Sequence, residues 1–430
     1  MRSGLLMLSV LILAWSPARD ACAQRVGGNL LPGPSELSRL GLERAWDGQA
    51  KLNPQRDKVT QFVVDEDLLY VQTTAGLVTA FEAETGREVW AILLGRHDEP
   101  MFPAVSTEHE VMIVVGAQLF SLDKITGQIR WQLRLPDTLS TGVSADERQL
   151  YIGTYSGAVY AYDRKRIRNL FEESLLPAWG HNALLWKCQT GKSITSPPIP
   201  TGRIVSFASQ DGSYYGVTAS KRDVVYQLET NNPIDAPVGF AIHRNLLTNE
   251  VKEWTFVAGR DQSFFAVEAE SGRVLWEFIT SRPMRIAPLA IDYDLFLTLE
   301  RGGVQCLDQR TGISRWVRPN LTGVVAVASD TVYGSDIEGN LIAVDREDGA
   351  INASVNLRRY TTRIANELTD RLYMATDAGT IVCLRQVGRK FPTFHRHPER
   401  LPIVPEFAPE EGSGENPTEP PAADPPPAAQ

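Results

Sequence analysis

A few residue patterns in this 430-residue chain are of types and spacings that can do chemistry. Gln189-Thr190-Gly191-Lys192-Ser193 ends like a phosphate loop, whose backbone N–H groups cradle an anion. Such a loop needs glycine where Trp186 stands, so this stretch reads as a turn. His395 and His397 have a spacing that can share a metal, but they sit in a proline-flanked segment without further ligands nearby and read as a solvated pair. Acids recur at one place of a repeated phrase: Glu82, Asp123, Asp163, Glu268, Asp308 and Asp345. Converging carboxylates would suit calcium or acid–base work. Acids that recur in register across copies instead suggest one structural task done many times. No Ser-His-Asp constellation emerges from spacing, and the sequence assigns no catalytic, cofactor-binding or metal-ligating residue.

The elements that carry these acids are short apolar strands at even spacing. LLYVQT (68–73), VMIVVG (111–116), QLYIGT (149–154), RIVSFAS (203–209), EWTFVAG (253–259), DLFLTLE (294–300), TVYGSD (331–336) and RLYMAT (371–376) make eight copies. Leu68 and Arg371 lie 303 residues apart in seven steps, a mean period of about 43. A repeat of that length with several short strands is the mark of propeller blades. A second strand follows each copy, and a third follows seven of them. Looser segments such as 194–199, 285–291 and 361–367 supply an inner strand. The expected fold is all-β, an eight-bladed propeller of four-stranded antiparallel blades over residues 42–390. The eighth unit lacks its outer strand, and 42–50, with Trp46, supplies it and closes the ring. Seven blades is the alternative, because the unit at 203–230 is the most degenerate. Residues 164–182 interrupt the third unit, where Ile167, Leu170, Phe171 and Leu175 have the spacing of a short amphipathic helix.

The repeated phrase, as in FSLDKITGQIRW (120–131), is explained by packing and turn chemistry. Ala80, Ser121, Ala161, Gly216, Ala266, Cys306, Ala343 and Cys383 occupy one equivalent place and are all small. A bulky group must approach there, and a tryptophan of a neighbouring outer strand is the candidate. Trp90, Trp131, Trp186, Trp276 and Trp316 fill that outer place, with Tyr226 as a substitute. Acids such as Asp123, Asp308 and Asp345 accept the free N–H groups of the turn. Gly86, Gly127, Gly272, Gly312 and Gly349 provide the positive φ that tight connections need.

This phrase resembles the tryptophan-docking motif of the pyrroloquinoline-quinone-type propeller superfamily, over roughly residues 42–388. That superfamily holds quinone- and calcium-dependent dehydrogenases and a non-enzymatic BamB-like branch that serves outer-membrane-protein assembly. The dehydrogenase branch implies calcium ligands, long loops over the ring face and, in its alcohol dehydrogenases, a disulfide between adjacent cysteines. Here no two cysteines are adjacent; Cys306 and Cys383 fall in the small-residue place and read as packed hydrophobes. The resemblance therefore implies a non-catalytic scaffold with envelope or outer-membrane assembly proteins as partners and extended polypeptides as possible clients. No cofactor is expected, with pyrroloquinoline quinone and calcium implied only under the alternative dehydrogenase reading.

The ends of the chain carry address and tether signals. Arg2, the apolar run Leu5–Trp15 and Ala21-Cys22-Ala23 read as an export signal over 1–23, cleaved before Gln24. Lipidation of Cys22 is the alternative, although Arg19 and Asp20 stand where such signals want small or apolar residues. A lead of 24–41 precedes the ring. The segment 391–430 reads as a disordered Pro- and acid-rich tail; from Pro405 onward it has eight prolines, six acids and no base. The expected location is the periplasm or the periplasmic face of the outer membrane, with secretion as the alternative. A net charge of −9 argues against nucleic acid.

Overall fold

The computed structural model describes residues 31–396 apart from 98, 177, 179 and 245–249. The export signal, residues 24–30 of the lead, and His397 with the tail beyond it therefore lie outside the described residues. Eight four-stranded antiparallel sheets form the ring, including one built from the degenerate unit: Ile199–Thr201, Ile204–Ala208, Ser213–Thr218 and Val224–Glu229. The count is eight, not seven. First strands of neighbouring blades touch one another, which puts them innermost, around the axis.

Alternation along a strand sends side chains to both faces of a blade, and both faces meet a neighbouring blade. The second strands are accordingly buried throughout, as in Leu68–Thr73 and Glu110–Val115. Among the described residues the apolar core divides into eight clusters, one for each joint between blades. Stability is thus shared among eight similar interfaces rather than held in one central core.

Strand β1 (Leu42–Gln49) closes the ring by pairing with Thr380–Gln386, with Trp46 opposite Cys383. The closure is also ionic. Arg371, fully buried in blade eight, holds Glu84 of blade one at 3.0 Å and Asp370 at 3.3 Å.

Two expectations need correction. The inner strands are shorter than the segments that suggested them. Only Ile199–Thr201, Leu289–Ile291 and Thr362–Arg363 pair as strands. Prolines 197, 198 and 288 lack the N–H a ladder needs, so residues just before these strands make only single bridges, at Ile194 and Met284. His395 is also not solvated. It is half-buried, and its backbone N–H donates to the Leu368 carbonyl at 2.9 Å.

The insertion forms helix α2 of blade three (Arg164–Glu172), capped by Asp163, with Ile167 and Leu170 buried and Leu175 exposed beyond its end. A further helix, α1 (Pro34–Arg39), precedes β1. Among the described residues no helix is long and apolar enough to cross a membrane.

Candidate functional site: inter-blade joints and a polar cleft

Most joints are built from the same rung. Tyr70, Ala80 and Trp90 lie side by side across three strands, and the small residue lets the two rings approach to 6.0 Å. The Tyr151–Ala161–Trp186 and Phe296–Cys306–Trp316 rungs repeat this at 6.2 and 6.0 Å. The second-strand aromatic went unremarked in the sequence, although LLY, QLY, TVY and RLY place a tyrosine at that position.

The tryptophan then reaches into the next blade. Trp46 Nε1 donates to the Ala83 carbonyl at 2.8 Å, Trp90 to Lys124 at 3.0 Å and Trp186 to Ala219 at 2.7 Å. Trp276 and Trp316 donate to Gln309 and Arg346, both at 3.0 Å, and the Tyr226 hydroxyl donates to Ala269 at 2.8 Å. Each ring lies against the glycine of that turn. A Cβ at Gly86, Gly127, Gly272, Gly312 or Gly349 would fall within 3 Å of the docked ring. These glycines therefore serve two ends, positive φ and close approach of an aromatic face.

Two joints depart from the rule. Trp131 is fully buried, but its Nε1 has no partner, because the next turn is replaced by α2 and its Ile167 and Leu170 pack there instead. In blade seven Ala353 stands in the tryptophan place, and α1 fills the gap with Leu37 and Leu40. At the joint between blades three and four, Arg222 takes the positive φ that glycine supplies elsewhere.

Of the repeated acids, Asp123, Asp308 and Asp345 accept turn N–H groups, Asp163 caps α2, and Glu82 and Glu268 instead accept from the Thr85 and Ser271 hydroxyls. Asp123 Oδ1 accepts the Ile125 and Thr126 N–H groups, Asp308 those of Arg310 and Thr311, and Asp345 those of Glu347 and Asp348. The Thr126 N–H, followed by Arg130, holds the Asp123 carboxyl down at about 2. Burial raises Asp308, but Arg315 and the turn donors outweigh it and lower its pKa overall. The Gln189–Ser193 loop is likewise committed: Gly191 N–H donates to Asp211 and Ser193 to Gln210. The cysteines at 306 and 383 are fully buried, and burial pushes the Cys306 thiol up to about 12.

One large cleft opens on the ring face formed by the turns between first and second and between third and fourth strands. Its volume is about 1270 Å³, and it is lined by blades five, six and seven and by the segment carrying His395 and Arg396. Blade five raises one wall. Its inner hairpin continues to Arg244↔Val251, five residues beyond the rung at Phe256, whereas blade six stops at Ile291↔Asp294, two beyond Phe296. The C-terminal segment crosses the mouth from blade eight, where Phe394 bridges Thr369, to blade five, where Arg396 lies 5.6 Å over the Phe240 ring.

The cleft does not match a quinone and calcium site. Calcium needs several oxygen ligands not already compensated by protein cations. Asp294, almost fully buried, is held at 2.6 Å by both Arg315 and Arg346, and Arg346 also takes Asp292 at 2.9 Å. Among the described residues no group of three or more His, Cys, Asp or Glu is placed to hold a metal. Two-thirds of the lining is charged, so there is no flat apolar slot for a quinone.

Comparison with known proteins follows this geometry. The family model described as outer membrane protein assembly factor BamB matches residues 36–165, 115–351 and 243–389. The outer membrane protein assembly factor BamB of Nitrosomonas eutropha is 22% identical over 304 residues, covering 67% of this chain and 65% of that protein, just under two thirds of its length. The crystal structure of BamB from Moraxella catarrhalis superposes with a TM-score of 0.60 at 15% identity, over 81% of this chain and 98% of that one. A quinohemoprotein alcohol dehydrogenase from Pseudomonas putida gives 0.55 at 11% identity, over 81% and 76%. The two structural likenesses share the fold alone. The family match covers most of the chain, and the chain belongs to the outer membrane protein assembly factor BamB family.

Proposed function

We propose that this protein is an exported, non-catalytic propeller scaffold that docks envelope proteins during outer-membrane protein assembly. Family membership across the whole ring is the observation that carries this reading. The chemistry of the ring supports it. The repeated acids are spent on turns, the glycines and tryptophans on joints, and the cleft carboxylates Asp292 and Asp294 on guanidinium groups. A disc held by eight joints gives a rigid surface for partners. Outer strands provide a second mode. Val224 and Val225 of blade four and Ile279 of blade five are exposed on edges to which an extended client can add a strand. The leader over 1–23 delivers the chain to the periplasm, and attachment to the membrane face is peripheral. A tagged full-length protein captured from cross-linked envelope extract tests this. Enrichment of outer-membrane assembly components over a tag-only control supports the reading; their absence sinks it.

A further inference from the structure

The cleft is more than a gap between turns. Among the described residues it holds three polar nitrogens that are buried yet unpartnered: Trp254 Nε1, His243 Nε2 and His395 Nε2. A buried donor or acceptor without a partner costs about 1–3 kcal/mol, so three in one cleft ask for a ligand or ordered water. The departures from the blade pattern gather here as well. Trp254 stands where the equivalent residue of blade six is the acid Asp294, with the His243 ring packed on it at 3.9 Å between centroids. Asp292 adopts a positive φ and leaves Tyr293 half-exposed, with the Arg310 guanidinium 5.3 Å from the ring. No other joint has this combination among the described residues.

The chemistry of the lining selects a ligand class. Six basic and six acidic side chains line the cleft, so it has no net bias toward a polyanion or a polycation. Burial, then Arg310, pushes His243 down to about 4, and burial also lowers His395; both imidazoles stay neutral at neutral pH and each pairs one donor with one acceptor. Ile242 is the lone aliphatic residue in the lining, which disfavours a lipid or an apolar peptide. Planar polar groups that bond bidentately, beside an aromatic face, match vicinal hydroxyls and the C–H face of a sugar ring. We propose that the cleft between blades five, six and seven binds an uncharged, hydroxyl-rich ligand, an oligosaccharide. Trp254 donates to one of its oxygens, His243 and His395 offer their open ring nitrogens to its hydroxyls, and Tyr293 stacks on a ring. This binding is separate from partner docking and stands or falls independently of it.

The test titrates folded full-length protein with uncharged tetrasaccharides (maltotetraose, cellotetraose and chitotetraose) and with tripolyphosphate, by calorimetry and tryptophan emission. At least one tetrasaccharide is expected to bind one-to-one with a Kd below about 1 mM. That affinity should change less than about twofold between about 50 and about 500 mM salt. Trp254→Phe removes the indole N–H while keeping an aromatic ring at that place, and Tyr293→Ala removes an exposed ring without touching the joints; each should weaken binding about tenfold or more. Absence of binding by every tetrasaccharide overturns the proposal. So does binding unchanged in both variants, or binding of tripolyphosphate alone with steep salt dependence, which would make the cleft an anion site.

Discussion

Replacing Gly127 by alanine probes the joints most sharply. Gly127 sits at φ +70, and an added Cβ would lie 2.6 Å from Trp90 Cδ2. Gly116, in the same blade, has φ +57, and a Cβ there meets nothing within 4 Å. Both variants suffer the left-handed backbone penalty of about 1–2 kcal/mol. Only Gly127→Ala must also push the indole aside. That weakens the Trp90 bond to the Lys124 carbonyl, worth about 1 kcal/mol, and opens part of the packing whose full loss in Trp→Ala costs about 3–5 kcal/mol. The expected cost is therefore about 3–5 kcal/mol for Gly127→Ala against about 1–2 for Gly116→Ala. In a Trp90→Ala background the clash is gone, and Gly127→Ala should fall back to about 1–2 kcal/mol, a coupling of about 2–3 kcal/mol. Urea unfolding followed by circular dichroism measures all four proteins. Equal costs for the two glycine variants, or additive effects of Gly127→Ala and Trp90→Ala, would refute the docking of the ring on the turn.

The remaining predictions concern charge, closure and chemistry. The Asp123 carboxyl titrates at about 2 when folded against 3.8 when free, so its stabilisation is fully present above about 3.8 and is lost as pH falls toward 2. Asp123→Asn should flatten the stability profile across that window, read by acid titration of the unfolding midpoint. Leu37→Ala should destabilise by about 2–4 kcal/mol, because α1 replaces the missing tryptophan of blade seven; protease sensitivity of the blade seven–eight joint should rise with it. Purified protein mixed with pyrroloquinoline quinone and calcium should reduce no dye with alcohols or sugars above the blank, and turnover there would restore the dehydrogenase reading.

The ring itself was legible because its cause is local and repeated. Strand alternation, the turn acid, the positive-φ glycine and the outer tryptophan each sit a few residues apart, and their recurrence in register with eight copies of the strand exposes them. Closure by β1 was legible for the same reason: one blade lacked a strand that the N-terminus could offer. The cleft was not legible, since it joins residues from 242 to 396 through three blades. His243 and Trp254 face each other only because the blade-five hairpin is prolonged, and His395 reaches them only because its segment crosses the ring mouth. Likewise Ala353 reads as a lost tryptophan until α1, more than 300 residues away, is seen packed beside it.

The most direct test of the assembly role compares cells with and without this protein for the amount of folded β-barrel protein in the outer membrane, scored by heat-modifiable mobility. The scaffold account predicts a lower folded amount in its absence, restored by the wild-type chain and by a Trp254→Phe, Tyr293→Ala chain alike. An unchanged amount of folded barrels in its absence would contradict the account.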